Sequence, residues 1–273
     1  MSSKALAQLF ALFLITQLLG LAVANVLIKE EVKAVILTDN PEDIENALAL
    51  FAYILIATAV LLVLITFVKV RGIAMLFELF ALFATATLVF TALVPRVAFL
   101  FIFTLIALRL LLRRSILIKN IASCVAVAGA GSLIGVSLGV MPAALFLAIL
   151  SVYDYIAVFK TKHMVRLGRA IARENVAFTF SLPTKEKVYQ LGTGDLVMPL
   201  VFATAVMNKA KLNYSFPYYL VPIALLLFAS FLGLVFTVYY CAKKKHALPA
   251  LPLQSVFMLT AWLAMLASGM AIL

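Results

Sequence analysis

The chain has 273 residues, of which 66% are hydrophobic and only 12% charged. A soluble domain of this length is about half apolar and a quarter charged, so a water-soluble globular protein is excluded, and one polytopic membrane domain over residues 1–273 is expected. The formal net charge of +11 would suggest nucleic acid in a soluble chain, but here Lys and Arg sit at the ends of apolar runs, where they anchor and orient helices, so no nucleic-acid partner is expected.

In chain order, the apolar blocks predict nine spanning segments: Ala5–Leu27, Leu48–Val68, Ile73–Val94, Val97–Leu112, Ile116–Val136, Pro142–Phe159, Val188–Val206, Phe216–Tyr240 and Pro249–Leu273. The expected fold is therefore an all-α membrane protein, a bundle of nine transmembrane helices: helices 1–6 over residues 1–159, a polar loop over 160–187, and helices 7–9 over 188–273. The first block, with Lys4 ahead of it and Ala22-Val23-Ala24 near its end, imitates a secretory signal. It is too long for the apolar core of one and reads as a retained helix. The fourth block is short, and only Gly139 and Pro142 punctuate the fifth and sixth.

Alternate loops differ sharply in charge. With the N-terminus inside, the inside loops hold sixteen basic residues: Lys4, Lys69, Arg71, Arg113, Arg114, Lys119, Lys160, Lys162, Arg166, Arg169, Arg173, Lys185, Lys187 and Lys243 to Lys245. The outside loops hold five, Lys29, Lys33, Arg96, Lys209 and Lys211. The bias predicts a multi-pass cell-membrane protein with a cytoplasmic N-terminus and an outside C-terminus. The acidic run from Glu30 to Glu45 reads as a solvated outside loop. In the inside loop, Val176–Leu182 has strand-like composition ahead of Pro183; it is either a surface loop or an edge able to pair with an extended substrate.

Gly131, Gly135 and Gly139 recur at four-residue spacing, as in a close helix–helix seam. Glu78 and Arg109 fall within the third and fourth blocks and read as a neutralising pair. Cys124 and Cys241 read as packing residues, and His163 and His246 as surface residues. Nothing has metal-ligand spacing, and neither a metal nor a cofactor is expected.

Two aspartates stand out. Asp154 follows Tyr153 in the sixth block, and Asp195 closes Gly192-Thr193-Gly194-Asp195 in the seventh. A carboxylate at membrane depth costs a few kcal/mol or more and usually serves a function. Asp154 precedes Lys160 by about 9 Å of helix and Asp195 follows Lys187 by about 12 Å, at 1.5 Å per residue. Antiparallel neighbours could thus bring the two face to face. Such carboxyls hold one proton between them, which suits peptide hydrolysis: one takes a proton from water while the other donates to the scissile carbonyl. Gly192 and Gly194 would admit a peptide backbone, and Tyr153 could hydrogen-bond near the pair or simply pack. Buried carboxylates also serve proton-coupled transporters and channels, and a prepilin-peptidase-type protease would use a similar Gly-x-Gly-Asp aspartate. A third motif, Pro249-Ala250-Leu251-Pro252, opens the last block on the same membrane side.

Tyr-Asp, Gly-x-Gly-Asp and Pro-Ala-Leu in that order, with nine helices, resemble the presenilin/signal peptide peptidase family of intramembrane aspartyl (GxGD) proteases over essentially the whole chain. Pro-Ala-Leu-Pro and the N-inside orientation resemble presenilins, Gly-Asp-Leu-Val-Met-Pro the signal peptide peptidases, and the compact chain an archaeal homologue. The resemblance implies an aspartic endopeptidase cleaving single-pass transmembrane proteins or signal peptides in the lipid bilayer. Asp154 and Asp195 would be catalytic, with Tyr153, Gly192, Gly194, Pro249, Ala250 and Leu251 shaping the site. No obligatory accessory subunit is implied, and self-association is compatible with it.

Overall fold

A computed structural model describes residues 3–63, 73–159, 179–183, 188–244 and 249–273. The chain forms α1 (Ser3–Lys29), α2 (Ile44–Val63), α3 (Ile73–Leu93), a short 3-10 turn (Pro95–Val97), α4 (Ala98–Leu111), α5 (Ile116–Ser137) and α6 (Val140–Phe159). Strands β1 (Thr179–Pro183) and β2 (Val188–Gly192) follow, then α7 (Gly194–Asn213), α8 (Leu220–Lys244) and α9 (Leu251–Ala267). Five of the described helices are long and apolar enough to cross a membrane, over Leu6–Lys29, Met75–Leu93, Ile116–Ser137, Val140–Phe159 and Leu220–Tyr240. Apolar stretches of α2 and α9 are shorter, and α4, at 14 residues, is about 21 Å long against the ~30 Å of a hydrocarbon layer. Large side chains such as Phe80, Phe99 and Leu111 point outward; lipid, not water, suits such a surface.

The fold is organised around α7. Leu196, Met198, Leu200, Val201, Phe202, Ala203, Thr204, Val206 and Met207 are all buried, so this helix shows protein on every side, with α1, α5, α6, α8 and α9 packed about it. Small residues permit the closest approach. A Cβ on Gly135 would lie 2.5 Å from the Val201 carbonyl oxygen, and one on Gly131 would lie 2.7 Å from Leu200 Cδ2. Gly139 belongs to no such seam, contrary to its spacing: it lies beyond the end of α5, its N–H donates to Pro41 O at 2.7 Å, and it faces Glu42 of the α1–α2 loop. That loop is folded on itself, because the Asn46 side chain accepts from Leu37 and Thr38 N–H and donates to Asn40 O.

The expected seventh span, from Val188, is corrected. Val188–Gly192 is a strand, and the helix begins at Gly194. A β-branched residue and an aromatic lead the segment, which favours an extended run, and Gly192 closes it. The last span is likewise shorter than Pro249–Leu273. Gly269, at φ +85°, ends α9: Met270 N–H bonds to Met265 O and Gly269 N–H to Leu266 O, a left-handed cap. The residues after it fold back, with Asn213 Nδ2 on Ala271 O and Ala271 N–H on the Tyr214 hydroxyl, both at 2.8 Å.

Glu78 on α3 and Arg109 on α4 form the expected pair, 2.5 Å apart and both buried. Cys124 packs in the core and accepts from Thr16 Oγ1. His163, His246 and Val176 to Phe178 lie outside the described residues, as does the Cys241 side chain.

Candidate active site

Asp154 sits near the end of α6 and Asp195 in the first turn of α7, both half-buried. The packing of α6 against α7 brings them into one region, close enough for the Asp154 charge to be felt at Asp195. The helical ruler from Lys187 does not account for this, since residues 188–192 are extended; the meeting comes from the packing of α6 against α7.

Backbone donors hold each carboxyl. The Leu251 N–H donates to Asp154. This donor is one that a helix start leaves free, and Pro249 and Pro252 supply none of their own. The Pro-Ala-Leu segment therefore meets the dyad through a main-chain atom, while Ala250 and Leu251 are buried and Pro249 is half-buried. The Gly192 N–H donates to Asp195. Gly192 and Gly194 are both exposed; a Cβ on Gly192 would stand 3.4 Å from Asp195 Oδ2, and one on Gly194 would meet nothing within 4 Å. The approach to Asp195 is thus left open beside Gly194. Tyr153 packs its ring edge-on against Phe51 of α2, 5.8 Å between centroids.

The strand pair leads into Asp195. β1 and β2 are antiparallel, with Phe180 opposite Leu191 and Ser181 opposite Gln190. Phe180 and Leu182 are buried against Leu9, Phe13 and Val127. The outer edge of β1 is occupied by an unexpected residue, Asn120 of α5. Its Oδ1 accepts from Ser181 N–H and its Nδ2 donates to Ser181 O, both at 2.9 Å, as a neighbouring strand would. Lys119, fully buried, donates to Thr179 Oγ1 at 2.9 Å and Ser181 Oγ at 3.1 Å. Since Ser181 turns its backbone groups to Asn120, the opposing Gln190 turns its own away from β1, along with Val188 and Gly192. Among the described residues no main-chain partner faces that edge of β2. Among the described residues the edge without a main-chain partner is that of β2, one strand further on than the Val176–Leu182 segment singled out by composition.

Two solved structures share the fold. Both are of a presenilin family intramembrane aspartate protease, one in a C222 crystal form (TM-score 0.73, 24% identity, covering 96% of this chain and 99% of that one). The other, in a P2 form, gives a TM-score of 0.68 at 24% identity, covering 94% and 96%. A comparison with curated proteins finds no match. The model of the family described as signal-peptide peptidase, presenilin aspartyl protease matches residues 10–270. A match of that extent places a multi-pass, membrane-embedded chain among the peptide hydrolases: it belongs to the signal-peptide peptidase/presenilin aspartyl protease family.

Proposed function

We propose that the protein is an intramembrane endopeptidase that hydrolyses peptide bonds within single-pass transmembrane segments, with Asp154 and Asp195 as its catalytic pair. What supports this reading is the placement of Asp154 near the end of α6 and Asp195 in the first turn of α7, on two packed helices of a chain in an aspartyl protease family. With one proton between them, the ionised carboxyl accepts a proton from water as the water attacks the scissile carbonyl. The protonated partner donates to the carbonyl oxygen, and the proton later passes to the leaving amide nitrogen. Both carboxyls of the pair are needed, in opposite protonation states, so neither role is fixed to one residue.

The substrate lies extended along β2. A helix hides its scissile carbonyls in its own hydrogen bonds, whereas an added strand exposes alternate peptide groups. In support, the Gly192 N–H on that edge already touches Asp195, so a chain paired there runs past the dyad. The nine described α-helices, α2, α4 and α9 included, cross or enter the bilayer, with the N-terminus cytoplasmic and the C-terminus outside, and substrates enter with their N-terminus outside. The enzyme acts without accessory subunits.

Purified protein with a generic single-pass substrate in vesicles tests the reading. Asp154→Ala and Asp195→Ala each abolish cleavage, and the double variant is no worse than either single, as for residues acting as one unit. Appreciable proteolysis by either single variant would sink the mechanism.

A further inference from the structure

Pro199 lies inside α7, four residues after Asp195. Proline has no N–H, so the Asp195 carbonyl loses the helical partner that residue 199 would otherwise supply. A part-buried carbonyl left in that condition gains from another donor. The donor is on α9: Gln254 Nε2 stands 3.2 Å from Asp195 O and 3.3 Å from Ser230 Oγ of α8. Gln254 is fully buried. The NH2 end of the amide faces this carbonyl, which can only accept. The Gln254 backbone is held as well. Gly233 of α8 lies so close that a Cβ there would stand 2.8 Å from Gln254 Cα.

Leu251 and Gln254 are three residues apart, on one face of the first turn of α9. One donates to the Asp154 carboxyl through its backbone, and the other donates to the Asp195 backbone through its side chain. We infer that Gln254 is a positioning residue: the first turn of α9 is a two-ended brace, and the Gln254 amide fixes the Asp195 end of it. A partner on this carbonyl sets where the α7 start sits, and with it the separation of the two carboxyls. The inference rests on the dyad reading above, and it adds a residue that the Tyr-Asp, Gly-x-Gly-Asp and Pro-Ala-Leu motifs do not include.

The test is a pair of variants assayed with the same single-pass substrate. Gln254→Met keeps the volume and removes the donor. It is expected to lower kcat at least tenfold with KM within twofold, to leave the thermal midpoint in detergent close to that of the parent, and to shift the limbs of the pH profile, since carboxyl separation sets their coupling. Adding Pro199→Ala restores a main-chain N–H to the orphaned carbonyl, and the double variant is expected to recover most of the lost kcat. A Gln254→Met enzyme with parental kcat and pH profile would overturn the inference, as would a double variant no more active than Gln254→Met. Asp195→Ala run in parallel separates the two failures: if it is inactive while Gln254→Met is normal, the dyad stands and only the brace falls.

Discussion

Asn120→Ala tests whether the strand pair is held for catalysis. The native side chain makes two bonds of 2.9 Å to the Ser181 backbone, and both residues are buried. Truncation leaves one N–H and one C=O without a partner inside protein. Each such group costs about 1–3 kcal/mol, so together roughly 2–6 kcal/mol weighs against the docked strand. A two-stranded unit has little stability of its own to offset this. The Lys119 contacts to Thr179 and Ser181 side chains remain, so β1 is loosened while the helices keep their packing. With 1.4 kcal/mol per tenfold in population, even the low end predicts at least a tenfold fall in kcat/KM. The assay is cleavage of a single-pass substrate alongside amide exchange of the β1 and β2 peptides. Asn120→Asp, which keeps only the acceptor, should fall between. Faster exchange with undiminished cleavage would show that the hairpin does not carry substrate; unchanged exchange would show that Asn120 is no latch.

Other outcomes follow from the packing and the dyad. Glu78→Gln leaves Arg109 buried without its countercharge and should cost about 3–5 kcal/mol, read as a lower thermal midpoint, whereas replacing both by apolar residues of similar volume should restore most of it. Gly135→Ala should destabilise by about 1–3 kcal/mol and more than Gly131→Ala, because its Cβ meets a backbone oxygen and the other meets a side chain that can rotate; equal thermal midpoints would contradict this. Activity against pH should be bell-shaped, since only the singly protonated pair works, and a profile with a single limb would speak against a shared proton.

The aspartates were legible because a carboxyl in an apolar run is too costly to be incidental. Glu78 and Arg109 were legible for the same reason, and each found the partner its charge demanded. The strand Val188–Gly192 was not, since a short apolar run reads alike as helix or strand when a helix follows directly. Asn120 and Gln254 were invisible for a different reason. Neutral amides in apolar helices carry no charge to flag them, and their acceptors lie 61 and 59 positions away along the chain. What makes them matter is a missing donor at Pro199 or an unpaired strand edge, and neither exists until the fold does.

The α9 brace also bears on when the enzyme becomes dangerous. Both aspartate helices precede α9 in the chain, so a ribosome releases α6 and α7 into the membrane before the Leu251 and Gln254 donors exist. For that interval the nascent protein carries two acidic side chains and an unguarded carbonyl but lacks the turn that aligns them. With the dyad and brace acting as proposed, proteolytic competence would arrive only with this late helix, and neighbouring newly inserted proteins would meet an unarmed bundle until then.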